Sequence, residues 1–327
     1  MFVLGLQGSP RLKGNTSILL SAFMDEAERL GAHVHRLHAS RVKVAPCIEC
    51  GNCEEKGFCA VDDEMQQIFP MLRQADIIVM ATPVFFYGPT AQLKSLIDRS
   101  QTLWARKYVH KLVDPGRKWR RGLLFSVGAT KGQNLFDGVE LTAKYFFDAV
   151  GAGFDGSLLY RKIEKAGEIS NHSTALEDAR AMAKEFVTPF LNRKKILFVC
   201  TENACRSQMA SAFTQYYAGD KIEVGSGGSA PAGEVNAVME QVMAEKGIDV
   251  AYRRPKSIED AIRRGTPELA ISMGCEVACP TFPGATHQDW DLQDPSGKSI
   301  EVMRGIRDEV EGRVRRLIEE LAGRGEL

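Results

Sequence analysis

Short apolar runs separated by amphipathic stretches organise the first half of the chain. "FVLGLQ" is one such run, closed by "GSPRLKGNT", after which apolar positions recur at helical spacing through Leu30. "HVHRLH" alternates and predicts a second strand, with His33 and His35 on one side. After a cysteine-rich loop come an expected helix from about Asp62, the buried-type strand "DIIVMAT", the loop "PVFFYGPT" and a helix through Arg99. The strand "GLLFSVG", a helix through Val150 and the strand "FDGSLLY" complete the series. Strands alternating with helices in this way predict a five-stranded, doubly wound parallel sheet. The helix "STALEDARAMAKEFV" closes this half, and "TPFLNRKK" is expected as a linker.

A second alternation starts at the strand "KILFV". It continues through the helix "RSQMASAFTQYY", the strand "IEVGSGG", the helix "VNAVMEQVMAEKG", the strand "ELAISM" and a long amphipathic helix from Ser299 to Leu321. The prediction is an α/β chain of two domains, 1–190 and a smaller 194–327.

At 327 residues the chain can bury two cores of ordinary size. Its formal net charge is zero, which gives no electrostatic footprint for nucleic acid or a membrane surface. No apolar run approaches the roughly 18 residues of a spanning helix. "MFVLGLQGSPR" has neither the basic lead-in nor the cleavage site of a signal peptide. Eight cysteines in such a chain are expected as working thiols in the cytoplasm rather than as a disulfide scaffold.

Three stretches of the front half carry candidate chemistry. "GSPRLKGNT" joins the first strand to the first helix, where backbone amides favour an anion. Ser9, Arg11, Asn15, Thr16 and Ser17 supply side-chain donors, and the alternative is a plain strand-to-helix turn. "PVFFYG" (Pro83, Val84, Phe85, Phe86, Tyr87, Gly88) falls at the carboxyl edge of the sheet, where open α/β folds bind ligands. Its aromatic residues suit a flat ring system or simply pack under a helix. "CIECGNCEEKGFC" places Cys47, Cys50, Cys53 and Cys59 at Cys-x2-Cys-x2-Cys-x5-Cys, a spacing open to an iron–sulfur cluster, to zinc or to a metal-free loop. The basic stretch from Arg106 to Arg121 reads as a solvated loop or as a contact for a nicotinamide phosphate.

Together with "SVGATKGQ", these loops resemble the flavodoxin-like NAD(P)H-dependent FMN reductases over roughly residues 1 to 190. The resemblance implies FMN, its phosphate at Ser9 to Ser17 and its ring near Pro83 to Gly88 and near Gly128, Thr130 and Gly132. NAD(P)H is the implied donor. The compact cysteine run is similar to that of the iron–sulfur flavoproteins, a branch of the same family, and implies a 4Fe-4S cluster beside FMN. Ferredoxins differ in having three residues before the last cysteine, where this chain has five.

In the back half, "VCTENACRS" sets Cys200 at the end of a strand and Arg206 at the start of a helix. The intervening amides can form a nest for a tetrahedral oxyanion, and the helix dipole is expected to favour a thiolate there. Arg206 can fork onto two oxyanion oxygens. Ser207 can hydrogen-bond the sulfur, and Asn203 tolerates a left-handed turn. Asp294, before Pro295, is the candidate general acid.

Cys-x5-Arg with a distant Asp-Pro resembles the low-molecular-weight tyrosine phosphatase fold over about 194 to 327, a family that includes the redox-coupled arsenate reductases. Ser296 and Gly297 stand where the phosphatases carry aromatic residues, and "SMGCEVACP" adds Cys275 and Cys279. The resemblance therefore implies arsenate reduction through a relay of Cys200, Cys275 and Cys279. Because Cys275 and Cys279 stand close together, a low-molecular-weight thiol or Cys205 could replace Cys279. Glu202 places a carboxylate at the mouth of an anion site, which the resemblance does not explain.

The expected protein is an arsenate reductase with a fused flavin and iron–sulfur electron supply. It is expected to be a homo-oligomer, open to thioredoxin or ferredoxin as partner, with no nucleic acid or membrane among its partners. The alternatives are a tyrosine phosphatase with a flavin module, or a redox carrier whose second domain docks a partner.

Overall fold

The computed structural model describes residues 1–263, 265–274 and 281–327. The chain divides into two compact units, Met1–Lys111 with Arg117–Leu191, and Leu112–Gly116 with Asn192–Leu327.

The first unit runs β1 (Phe2–Gln7), α1 (Asn15–Arg29), β2 (His33–His38), α2 (Asn52–Lys56), α3 (Met65–Gln74), β3 (Ile77–Pro83), α4 (Ala91–Arg99), α5 (Gln101–Tyr108), β4 (Arg121–Gly128), α6 (Asp137–Ala149), β5 (Gly153–Arg161) and α7 (Ala175–Leu191). Its sheet order is β2-β1-β3-β4-β5, every pair parallel. The three central strands read as nearly continuous apolar runs because both faces are covered. β2 lies at the edge, which explains its alternating exposure and its exposed His33 and His35. One core joins Val3, Ile77, Val79, Leu123 and Phe125 to Leu19, Leu20, Phe23 and Met24 of α1 and to Ala179, Ala183 and Val187 of α7. Each fully buried large apolar side chain contributes about 1.5–3 kcal/mol.

The expected linker "TPFLNRKK" is mostly not a linker. α7 continues through Pro189 to Leu191, where burial of Val187 and Phe190 holds the last turns in place. The basic stretch also departs from a solvated loop. Arg106 is buried, with its guanidinium 4.7 Å from the Phe58 ring centroid. Arg120 is buried and donates to the carbonyls of Arg73, Ala75, Val150 and Gly151. Both cations brace backbone.

The second unit runs β6 (Lys194–Cys200), α8 (Arg206–Ala218), β7 (Ile222–Gly228), α9 (Ala237–Glu245), α10 (Ile258–Ile262), β8 (Leu269–Ser272), β9 (Thr286–Asp289) and α11 (Ile300–Gly323). Its sheet is parallel, in the order β7-β6-β8-β9. Met303, Ile306, Val310, Val314, Leu317 and Leu321 form the buried stripe of α11 against Phe198, Met209, Phe213 and Ile271. Within this unit Val113 donates its N–H to the Gly247 carbonyl at 2.7 Å and accepts from Asp249 N–H at 2.8 Å. β9 was not expected, since "THQD" carries no apolar alternation and is largely exposed at the sheet edge. Among the described residues no helix is long and apolar enough to cross a membrane.

Candidate functional site

In the second unit, β6 delivers Cys200 to the carboxyl edge of the sheet, and α8 begins six residues later. The loop between them is held from outside. Ala230, Ala232 and Asn236 donate backbone N–H groups to the carbonyls of Thr201, Glu202 and Ala204 at 2.9–3.0 Å. Gly228 must be glycine, because a Cβ there would sit 2.6 Å from the Thr201 carbonyl oxygen.

Asn203 adopts the left-handed conformation, with φ at 50°. Its N–H donates to Cys200 Sγ at 3.2 Å and its Nδ2 to Ser207 Oγ at 2.8 Å. Ser207 Oγ lies 2.9 Å from Cys200 Sγ. Since Ser207 already accepts from Asn203, its own proton is free for the sulfur. The sulfur thus has one backbone donor, Asn203 N–H, and one hydroxyl, Ser207, that can donate to it or accept from it.

Asn203 is itself fixed by Lys256 N–H, which donates to Oδ1 at 3.0 Å, and by Gln208 Nε2, which donates to its carbonyl at 3.0 Å. Gln208 and the backbone of "RRPKS" were not foreseen as supports of the site. Only the side-chain amides of Asn203 and Gln208 could have hinted at them.

Arg206 is buried at the first turn of α8. It donates to the carbonyls of Gly274 and Leu292 at 3.3 Å each, and its Nη2 stands 3.3 Å from the exposed Asp294 carboxylate. Cys200, Glu202, Arg206, Asn236, Asp294 and Ser296 are among the residues lining one cavity of about 170 Å³. Cys275 and Cys279 lie outside the described residues. Cys205 does not share the chemistry of Cys200. It is buried with its sulfur 3.4 Å from Met303 Sδ, and burial, then the nearby Cys200, push its thiol up to about 12.

In the first unit, a cavity of about 180 Å³ is lined by Ser9, Arg11, Asn15 and Thr16 on one side and by Pro83, Val84, Phe85 and Gly128 on the other. The predicted phosphate loop and ring loop therefore meet. Gly14 permits the close turn, since a Cβ there would fall 2.8 Å from Ser9 Oγ. No side chain caps α1, whose first amides have no partner within the helix, and the buried Thr16 Oγ1 has no hydrogen-bond partner. These features fit a phosphate group.

Two predicted donors are otherwise engaged. Asn15 donates to the Lys165 carbonyl and accepts from Ile169 N–H, and Ser17 Oγ donates to the Arg11 carbonyl. Both hold the loop together. Ser17, Phe86, Tyr87, Gly88, Thr130 and Gly132 are not part of the cavity lining. Phe86 and Tyr87 form a positive-φ turn closed by the Phe85–Gly88 bridge, with Phe86 fully exposed. Ile163, Glu164 and Ala166 line the cavity instead. Their position after the last strand, on the same sheet edge, was the available signal.

Cys47, Cys50, Cys53 and Cys59 line a third cavity, of about 610 Å³, together with Arg99, Gln101 and Thr102. α2 is bounded by left-handed Gly51 and Gly57. Arg99 donates to the carbonyls of Ala45 and Val61 and forms an ion pair with Asp63 at 2.6 Å. Arg106 donates to the Gly57 carbonyl at 3.0 Å, and the His110 ring nitrogen lies 3.1 Å from the Cys53 carbonyl. Burial pushes the Cys53 thiol up. Four thiols on one cavity are the ligand type that iron–sulfur clusters and structural zinc sites use. As they stand, no three His, Cys, Asp or Glu side chains among the described residues converge on a single metal position.

Fold and sites define a class in which a flavodoxin-like domain precedes a domain with a thiol in a strand-to-helix loop beside a buried arginine. Residues 1–136 match the NADPH-dependent FMN reductase family, and residues 195–326 match the low molecular weight phosphotyrosine protein phosphatase family. The chain belongs to the second family through its back half, where its relatives include arsenate reductases. It is similar to the "Glutaredoxin arsenate reductase" of Synechocystis sp., at 36% identity over 39% of this chain and 99% of that protein. It is also similar to the "Arsenate reductase" of Bacillus cereus, at 35% over 39% and 96%. In front it resembles the "Iron-sulfur flavoprotein" of Methanosarcina thermophila, at 37% over 34% of this chain and 58% of the relative. The chain thus spans about half the length of the iron–sulfur flavoproteins it matches, 45–58%.

Proposed function

We propose that this protein is an oxidoreductase that reduces arsenate to arsenite at Cys200, with electrons supplied through its front domain. The observation that carries the reading is the lining of the Cys200 cavity. It offers a buried guanidinium, amide and hydroxyl groups and no aromatic ring among its described residues, so it suits a small oxyanion better than an aryl phosphate. The named arsenate reductases among the relatives of this half support the same reading.

In this mechanism Arg206 and the loop amides hold the oxyanion. Cys200 attacks arsenic while Asp294 protonates the departing oxygen, which leaves as water. Cys275 then attacks the sulfur of Cys200. An S–S bond forms, the S–As bond breaks, and the electron pair leaves with arsenic as arsenite. Cys279 exchanges with that disulfide, freeing Cys200 and leaving a Cys275–Cys279 disulfide that needs two electrons and two protons to reset. Buried, protonated and packed on Met303, Cys205 is unsuited to replace Cys279.

Residues Ser9, Arg11, Thr16, Pro83, Val84, Phe85 and Gly128 would hold FMN, and Cys47, Cys50, Cys53 and Cys59 a 4Fe-4S cluster. Bound there, the pair would supply a two-electron store linked to single-electron transfer. NAD(P)H or a thioredoxin-type protein fits as the outside donor.

The functional test is turnover. Arsenite production should exceed hydrolysis of p-nitrophenyl phosphate at least about tenfold at equal concentration, a gap of about 1.4 kcal/mol in transition-state stabilisation. The reverse order would make the protein a phosphatase. For the cluster, anaerobically purified protein should contain about four irons and four sulfides per chain, and Cys53→Ala should lose most of that iron. Stoichiometric zinc without sulfide would assign the four thiols to zinc instead.

A further inference from the structure

Glu202 sets a carboxylate at the rim of a pocket built for anions. Its backbone is tied to the neighbouring loop, since its carbonyl accepts Ala232 N–H at 2.9 Å. Its side chain is exposed and lines the same cavity as Cys200 and Arg206. Asp294, the other carboxylate there, is paired with Arg206. The Glu202 carboxylate has no hydrogen-bond or ion-pair partner among the described residues.

An ionised carboxylate can only accept hydrogen bonds. Charge alone would make it repel hydrogen arsenate, hydrogen phosphate and sulfate alike, since all three are dianions. They differ in one respect: the first two keep an O–H and sulfate has none. We propose that Glu202 reads this proton, accepting a hydrogen bond from a protonated oxyanion whose other oxygens face Arg206 and the loop amides, and so excludes sulfate. Sulfate in the same place would set acceptor against acceptor, two negative groups with no hydrogen bond between them. The inference rests on the oxyanion reading of the Cys200 pocket and not on the reduction step.

Alkylation of Cys200 by iodoacetamide, followed by mass spectrometry of its peptide in the full chain, reports pocket occupancy without turnover. At constant ionic strength, phosphate should protect Cys200 at concentrations at least about tenfold below those that sulfate requires. In Glu202→Gln the two anions should protect within about twofold of each other, a loss of roughly 1 kcal/mol of discrimination. Glu202→Asp should keep most of the gap. An unchanged gap in Glu202→Gln, or equal protection by the two anions in the unmodified protein, overturns the proposal. If the gap closes as expected but arsenate is not reduced, Glu202 keeps its role and the reductase reading falls. If neither anion protects Cys200, the oxyanion reading fails and takes this proposal with it.

Discussion

Cys200→Ser should lower arsenite production by roughly 10⁴-fold or more, the scale on which an enzyme loses its covalent nucleophile. The substitution barely changes shape. Asn203 N–H and Ser207 Oγ, now 3.2 and 2.9 Å from the sulfur, would still find an acceptor, so the loop should stay folded and the oxyanion should still bind. What disappears is the S–As bond and the S–S bond that releases arsenite, and a hydroxyl can form neither redox product. The residues facing the front cavity belong to the other compact unit, so bound flavin per chain should not change. Arsenite measured against flavin absorbance in the same preparation checks both halves of the claim. A variant that keeps most of its arsenite production would remove Cys200 from the chemistry.

The alternation of apolar runs and amphipathic stretches made the two sheets legible in the sequence, because a buried parallel strand must be apolar on both faces. β7, for example, spans the predicted "IEVGSGG". The edges were less legible. β9 has too few apolar residues to show a period, and α7 extends past the point where Thr188 and Pro189 suggested a break. Cys200, Arg206 and Ser207 could be found because their spacing within one loop encodes the geometry directly. Gln208 and the Arg254–Lys256 backbone could not, since they support Asn203 from across the fold. In the loop after β1, residue types marked Asn15 and Ser17 as ligand donors but could not show that their hydrogen bonds also close the loop on itself.

Arsenate alone should return the flavin absorbance of the anaerobically reduced protein to its oxidised form, with no thioredoxin present. The electron count requires a route, because in the proposed relay each arsenite formed leaves a disulfide that must receive two electrons. Disulfides of the thioredoxin kind sit near about −270 mV, and about 30 mV corresponds to roughly 1.4 kcal/mol for a two-electron couple. Iron–sulfur centres span about −700 to +450 mV, so a low-potential cluster at Cys47, Cys50, Cys53 and Cys59 could reduce such a disulfide downhill. A cluster passes one electron at a time, and a flavin beside it would hold the second until the pair is complete. Cys200→Ser and Cys275→Ser should each stop the recovery, the first because no adduct forms and the second because no disulfide follows it. The two variants give different intermediates: trapped arsenic should be found on Cys200 only in Cys275→Ser. Absorbance that stays bleached with arsenate until thioredoxin is added would mean that the front domain serves a different acceptor, and that the second domain draws its electrons from outside the chain.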